Sequence, residues 1–547
     1  MTEPHAATRW PAALGRRGVV ASPHPLATLA ALGALLRGGT AVDAAVAAGA
    51  TLAVVYPHMT GLGGDSFWLC WDARGRRLRG LAAGGPAARL ATPALYRERG
   101  LDAIPVRGPL AALTVPGAVD GLWQAHQWSR AELGSPLGWA DLLADAIRHA
   151  AEGIAVSPCQ ARVTAGATDL IDRAGEPAFA SFGAIYLAGG AAPAAGTRLV
   201  QPQLARTLER LARQGGRAFY EGEVAALIAT ACETAGSPLR AGDLAAYRAR
   251  WVTPLTVAYR GGLAASLPPP CQGMAVLAIL GMLDAVDVGS HAAHSADYVH
   301  LVVEATKLAF GDRDRWLADP DVGPVPTDRL LAPDYLRERV KRIRPDTAAP
   351  APVPAGLGDT VACVTADGAG NCVSLIQSLY HEWGSGMVAG ETGVVLQNRG
   401  AFFSLDPAHP NALASGKRPF HTLTPFMWLR DGEPALVAGT MGGEGQPQTL
   451  AAVATRVLDF GLDVQAAVEA PRWLYGRTWG RPTRALALEA RFEARVAADL
   501  RERGHAVNMI EAWSDTMGHA QAVWRDRASG LLIGAGDPRA DGPALGL

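Results

Sequence analysis

The sequence predicts an α+β fold, with helical and strand-forming stretches largely segregated along the chain, and three observations predict it. Through much of Trp139 to Val340 apolar residues recur every three and four positions, as in WADLLADAIRHAAEGI and ADYVHLVVEATKLAFGDRDRWLADP, the spacing of a single buried helix face. After Thr360 the texture changes to short runs broken by Gly and Asn turns, a strand and hairpin signal. The composition suits a large core: 49% of the 547 residues are hydrophobic and 18% are charged, below the usual ~25%.

Taken in order, Gly18 to Ala21 reads as an apolar strand, and the Ala-rich runs Pro25–Leu36 and Ala41–Val55 read as buried helices. The glycine turn Thr60 to Asp65 leads into SFWLCWD. There Trp68, Cys70 and Asp72 share one face and Phe67, Leu69 and Trp71 the other, so a strand covered on both sides is expected. RGRRLRG, from Arg74 to Gly80, reads as a solvated turn, and Arg337 to Asp346 as a charged, exposed tail. The Pro/Gly-rich stretch AAPAPVPAGLG, Ala348 to Gly358, is a linker. Beyond it, Val361 to Thr365 and Cys372 to Leu379 flank a DGAGN turn and form a hairpin. Further strands are expected at Gly393 to Gln397 and Ala435 to Thr440, and helices at Gln448 to Phe460, Val464 to Ala470 and Phe492 to Arg503.

Several function classes are excluded. A formal net charge of −1 without a Lys/Arg block argues against nucleic-acid or acidic-membrane partners. Six scattered cysteines without a CxxC pair, and histidines without HExxH spacing, argue against a disulfide framework, a zinc site or any resident cofactor; reduced, buried thiols are expected. The first twenty residues show no secretory pattern and the first apolar run is too short to cross a bilayer, so a cytoplasmic chain is expected.

The linker ends at Asp359-Thr360, where the strand-like run TVACVTADGAGNCVSL begins. A threonine hydroxyl is a poor nucleophile until a base stands beside it. Cutting the chain before Thr360 would supply one, because the new α-amine has a pKa of about 7.7–8.0. Two readings stand here: a precursor activated by its own scission, or a threonine that simply opens a strand.

A set of motifs decides between them. HPLATLAALGALLRGGTAVDAAVAA, VVYPHMTGLGGDSF, EATKLAFGDRDRWLADP, GDTVACVTADGAGNCVSL, GSGMVAGETGVVLQN, GKRPFHTLTP, GTMGGEGQ, EAPRW and GDPRADG occur in this order over nearly the whole chain. Together they resemble the γ-glutamyltransferase family of N-terminal nucleophile hydrolases. The resemblance implies a four-layer αββα sandwich and self-cleavage between Asp359 and Thr360. It implies a large subunit, residues 1–359, and a small catalytic subunit, residues 360–547, together one αββα unit. It also implies that the Thr360 hydroxyl attacks the substrate amide while its own amine carries the proton. Gly442 and Gly443 correspond to the oxyanion hole, their bland alternative being a tight turn or phosphate loop. Ser378 corresponds to the hydroxyl that hydrogen-bonds the nucleophile, its alternative being a solvent-facing strand serine.

The departures from the family pattern concern the substrate. The arginine that holds a γ-glutamyl α-carboxylate falls near Ala82, and the paired hydroxyls before the TP motif become His421 and Thr422. The groups that hold the α-amine become Arg399, beside Asn398, and Phe402, and a further Asn position becomes Tyr380. A guanidinium repels an ammonium, so the expected donor lacks a free α-amine and carries a carboxylate that Arg399 grips with two hydrogen bonds. The alternative is that Arg399 forms a structural ion pair away from the pocket. The stretch Phe402 to His421 is shorter than in lidded relatives, so an open entrance and hydrolysis over transfer are expected. Oxamate amidohydrolase-like and cephalosporin acylase-like branches of the family both fit a small acid amide. True γ-glutamyl transfer, and a non-catalytic binding protein with the family fold, are the alternatives carried forward. The expected partners are the amide substrate and the chain's own two subunits, with a homodimer of processed heterodimers as one assembly. Asp312 to Arg315 reads as an ion-pair network, Asp65 and Glu391 as loop-fixing acceptors, and His58 as either pocket lining or strand cap.

Overall fold

The strand Asp65–Asp72 shows how the layers arise. Phe67, Leu69 and Trp71 enter an apolar core with Ala362, Val364, Ile376, Met427, Val437 and Leu532, which lies between two sheets. Trp68 and Cys70, on the opposite face, join the helices Pro25–Leu36, Ala41–Val55 and Ala118–Trp128 in a second core. A third core covers the far side of the other sheet with Gly273–Leu283, Ala296–Trp316 and Gly445–Leu458. The result is the expected αββα sandwich. The computed structural model describes residues 8–350, 358–476, 478 and 483–547.

Among the described residues, each of the two central sheets has seven strands, with antiparallel neighbours throughout. The first runs Leu545–Gly546, Gly18–Ala21, Asp359–Asp367, Cys372–Tyr380, Asp65–Asp72, Arg77–Ala83, Arg250–Val252. The second runs Ala13–Gly15, Leu531–Ala535, Ala520–Asp526, Glu433–Thr440, Phe426–Arg430, Gly262–Ser266, Leu255–Tyr259. Both therefore interleave strands from either side of residue 360. The helix Ala41–Val55 is buried along its whole length and starts with a Thr40–Asp43 capping box, which satisfies orphan N–H groups where water cannot.

Several local expectations are corrected. Besides a two-stranded pair, Ile154–Ala155 with Arg198–Leu199, the strands Arg250–Val252, Leu255–Tyr259 and Gly262–Ser266 interrupt the stretch read as helical; they lie at or next to a sheet edge, and their alternation covers too few residues to stand out. RGRRLRG is not just a turn: Arg77–Ala83 is a strand, and the Arg79 guanidinium lies 4.2 Å from the Trp251 ring centre. Gly393 to Gln397 makes only isolated bridges, Gly63 with Leu396 and Val388 with Val395. The expected exposed tail is anchored, because Pro333–Val340 is a helix that buries Leu336 and Val340, and His300 Nε2 lies 2.7 Å from the Arg344 carbonyl oxygen. Of the Pro/Gly linker, residues 351–357 lie outside the described residues. All six cysteines are buried and unbridged. Among the described residues no helix is long and apolar enough to cross a membrane.

Candidate active site

Thr360 is fully buried near the start of the strand Asp359–Asp367, in the middle of the first sheet. Its hairpin partner Cys372–Tyr380 pairs Tyr380 with Asp359 and Gln377 with Val361, so a bulge sets Thr360 opposite Ser378 and Leu379. Tyr380 ends that strand with φ +86°, a conformation unusual for a bulky residue, and its N–H donates to Ser378 Oγ at 2.8 Å. The turn carries the Tyr380 ring under Arg399, whose guanidinium carbon lies 4.4 Å from the ring centre.

Arg399 opens the short 3₁₀ turn Arg399–Phe402. Leu113 packs so closely on Gly400 that a Cβ there would lie 2.2 Å from Leu113 Cδ2. Asn398 fixes the entry to this turn: its amide donates to the Val106 carbonyl at 2.7 Å and accepts from His381 N–H at 3.1 Å. It is therefore part of the frame and does not point toward Thr360. The Arg399 guanidinium is fully buried and donates to Thr422 Oγ1 at 3.2 Å and Ser378 Oγ at 3.3 Å. Among the described residues it forms no ion pair within 4.0 Å, and it lies beside Ser378, which sits opposite Thr360 in the hairpin. Burial lowers its pKa to about 10, partly opposed by Asp65, so it remains a cation at neutral pH.

On the other side of Thr360 lies the start of the helix Gly445–Leu458. Gln446 Nε2 is 3.4 Å from Thr360 Oγ1, and its Oε1 accepts from Thr424 N–H at 2.9 Å. Gly442 and Gly443, with φ +119° and +49°, form the turn into this helix. Their carbonyls are tied back: Gly442 O accepts from Gly445 N–H at 2.6 Å and Thr478 Oγ1 at 3.4 Å, and Gly443 O from Gln272 Nε2 at 3.0 Å. Their N–H groups donate to none of the described residues, which leaves two backbone donors at a helix N-terminus. Arg313, from the DRDR run, braces the turn through Gln272 Oε1 at 3.1 Å and Glu444 Oε1 at 3.0 Å while pairing with Asp314. The expected ion-pair network thus supports the turn.

Gly358, two residues before Thr360, sits against Tyr380 and Thr422, the groups that flank Arg399. A Cβ on Gly358, which has φ +152°, would lie 3.2 Å from the Tyr380 ring and 3.4 Å from Thr422 Oγ1. Gly358 N–H lies 3.4 Å from the Thr478 carbonyl, so the chain before Thr360 runs between the arginine's supports and the glycine turn. A cavity of about 300 Å³, lined by Tyr380, Phe402, Phe420 and His409, opens beyond the Tyr380–Phe402 ring pair.

His421 does not join Thr422 at Arg399. Its ring packs on Phe67 at 4.6 Å, and Nε2 lies 3.5 Å from Asp65 Oδ2. Burial, with Arg399 and Arg418 nearby, holds it neutral. Asp65 is fully buried and its pKa is lifted by desolvation to about 7, with Arg399 pulling the other way. His58 is buried against Tyr56 and Trp383 and kept neutral by burial. Glu391 is exposed, 3.8 Å from Arg206. The sequence marks Thr360, Ser378, Arg399 and the glycine pair; Gln446, Thr424 and Arg313 lie within quoted runs, but their contacts with Thr360 and with the glycine turn through Gln272 join distant parts of the chain and are not read from it.

One described trio has the make-up of a metal site: His300, Glu304 and His505 have ligand atoms within 4.8 Å of one another. These atoms are already engaged. His300 Nδ1 meets His505 Nε2 at 2.8 Å, and Glu304 accepts from Lys307 Nζ at 2.6 Å and Ala349 N–H at 3.0 Å. They form a clasp on the segment entering the linker.

The αββα sandwich is that of the N-terminal nucleophile hydrolases. A gamma-glutamyltranspeptidase family model matches residues 27–547, and the chain belongs to that family of enzymes. It is 46% identical over 530 residues to the oxamate amidohydrolase proenzyme of Klebsiella pneumoniae, covering 97% of this chain and 98% of that protein. It is 42% identical to a glutathione hydrolase-like proenzyme of Bacillus subtilis, covering 98% and 99%. The crystal structure of the cephalosporin acylase from Bacillus halodurans superposes with a TM-score of 0.91 at 34% identity, covering 100% of this chain and 99% of that one.

Proposed function

We propose that this chain is a precursor that cuts itself between Asp359 and Thr360, and that the product is a threonine amidohydrolase for a small carboxylate-bearing amide. In the cut, Thr360 Oγ attacks the Asp359 carbonyl carbon, its proton passes to the departing amide nitrogen, and an ester forms. Water hydrolyses that ester, leaving Asp359 with a free carboxylate and Thr360 with a free α-amine. The large subunit then comprises residues 1–359 and the small one residues 360–547. Removal of Gly358 from beside Tyr380 and Thr422 uncovers Arg399.

In turnover Thr360 Oγ attacks the substrate amide carbon and the α-amine takes its proton. The oxyanion lies against the Gly442 and Gly443 N–H groups, which supports a stabilisation of about 3–4 kcal/mol for one such donor. The amine returns the proton to the departing ammonia, and water releases the acid from the acyl-enzyme.

The observation that carries the substrate class is Arg399: a buried cation that forms no ion pair within 4.0 Å among the described residues, held by hydroxyls beside the nucleophile. A carboxylate is the ligand that completes it. Because Arg399 touches Ser378, the residue opposite Thr360, the carboxylate sits close to the scissile carbon, which favours an oxamate-type acid over a long diacid amide. An α-ammonium donor is disfavoured by the same charge and by Phe402. The activity named for the Klebsiella pneumoniae relative agrees with this reading. The test compares hydrolysis of oxamate, glutaryl amides and γ-glutamyl amides by the processed enzyme. Oxamate is expected to have the highest kcat/KM, and Arg399→Ala to raise its KM at least about tenfold, a loss of roughly 1.4 kcal/mol. An unchanged KM, or preference for γ-glutamyl amides, would refute the assignment.

A further inference from the structure

Among the described residues, three buried polar atoms beside Arg399 have no hydrogen-bond partner: Asp65 Oδ2 and both ring nitrogens of His421. Orphaned buried groups are uncommon and call for a physical reason. Fixing the loop accounts for only half of the Asp65 carboxylate. Its Oδ1 accepts from Gly85 N–H at 3.2 Å, Gly117 N–H at 3.0 Å and Gln397 Nε2 at 3.0 Å, while Oδ2 faces His421 Nε2 at 3.5 Å. Asp65 is the cross-strand partner of Ser378, and the Ser378 hydroxyl accepts from Arg399 Nη2. Acid, hydroxyl and guanidinium are thus linked across the sheet at the nucleophile.

We infer that Asp65 is a positioning residue for the Arg399 clamp: ionised while the clamp is empty, it balances the guanidinium, and it binds a proton from solvent when a substrate carboxylate takes over that role. The inference rests on the carboxylate-clamp reading and extends it to the charge balance of the loaded site. One guanidinium facing two carboxylates in a dry site leaves an uncompensated negative charge, which is costly. Protonation of Asp65 Oδ2 removes it, and the new O–H can donate to the adjacent His421 nitrogen. The other groups around Asp65 do not titrate near neutrality. His421 is held neutral by burial, Arg399 and Arg418; Tyr220 and Tyr247 are held protonated by burial; Arg399 stays charged. Asp65 alone is poised there. The α-amine proposed for Thr360, with an ordinary pKa of about 7.7–8.0, is the one further group that could exchange a proton, and the variant below separates it.

The probe is glycolate, a small carboxylate that Thr360 cannot convert to an acyl-enzyme. Its binding to the processed enzyme is measured by titration calorimetry at about pH 8, in two buffers of different ionisation heat, which reports proton uptake. Wild type is expected to take up close to one proton, and its Kd to weaken by up to about tenfold per pH unit above neutrality. Asp65→Asn keeps the Oδ1 acceptor and the volume; it is expected to bind glycolate without uptake and with a nearly flat Kd. Uptake that persists in Asp65→Asn overturns the inference, as does its absence from wild type. Should the variant not yield processed protein, the infrared difference spectrum of wild type decides: a protonated-carboxyl band on glycolate binding supports the inference, and no such band overturns it. Binding that Arg399→Ala leaves intact defeats the clamp itself, whereas Arg399-dependent binding without proton uptake defeats only the role of Asp65.

Discussion

Thr360 would act as nucleophile twice, and the two events differ in the source of the base. Before scission its nitrogen is an amide and cannot accept a proton, so the first attack relies on Thr360 Oγ held beside Ser378 and Gln446. After the proposed scission the free amine would serve. Thr360→Ala is therefore expected to leave one full-length band on a denaturing gel and to lower amide hydrolysis by about 10⁴-fold or more. Thr360→Ser, which keeps the hydroxyl and the amine, is expected to retain part of both. An alanine variant that still turned over substrate would place the nucleophile elsewhere. The placement of this residue at a junction after a linker, and of the glycine pair at a turn between strand and helix, was legible from local signals; the roles expected of them came from the ordered motifs and the family they resemble. Arg399 was legible as a departure from a pattern. The orientation of His421 was not, because it depends on Phe67 and Asp65, which reach it only through the sheet.

At the scale of elements, the glycine turn before Gly445–Leu458 has backbone demands that can be tested directly. Gly442 has φ +119°, and a Cβ there would lie 3.3 Å from Gly518 Cα. Gly442→Ala is expected to rotate the donor N–H and lower kcat by about a hundredfold with little change in KM; a change confined to KM would assign the turn to ground-state binding. The clasp on the linker is a second element-scale device. Glu304 and Lys307, both nearly buried, hold Ala349 from either side, while the Arg503 guanidinium donates to the Pro345 carbonyl and the Arg503 carbonyl accepts from Ala348 N–H. Removing one member of such a pair strands the other, so Glu304→Ala is expected to cost roughly 3–5 kcal/mol in denaturant unfolding of the processed protein. A shift within error would show the contacts to be solvated. The sequence reads this region as a charged, exposed tail because Arg and Asp dominate it; what holds it are its backbone groups, bound by His300, Glu304, Lys307 and Arg503, contacts between distant parts of the chain. The hairpin and most helices were legible from period and turns, whereas the short strands between Arg250 and Ser266 offered too few alternations.

Across the whole molecule, burial of titratable groups sets the response to pH. His24, His58, His421, His505 and His519 are all buried and held neutral, with His24 and His519 at about 4 and His505 at about 3. The unfolded chain protonates them near 6.5 and the folded chain does not. Between about pH 6.5 and 4 the unfolded state therefore binds more protons, and stability falls as pH falls. Asp65, at about 7, and Asp367 and Asp541, also raised by burial, act in the opposite sense, because the folded state protonates them first. The histidines outnumber these carboxyls, and each histidine contributes about 1.4 kcal/mol per pH unit over its shifted range, against a total stability of roughly 5–15 kcal/mol. Acid unfolding is expected to set in within this window, well above the pH at which ordinary carboxylates titrate. His58 offers the clearest check, because its ring lies against Tyr56 and Trp383 and neither nitrogen has a described partner. His58→Phe is expected to reduce the slope of stability against pH between about 6 and 5 by close to one proton. Denaturation midpoints at successive pH values measure that slope, and a variant with the wild-type slope would show that His58 is not among the groups that unfold the protein in acid.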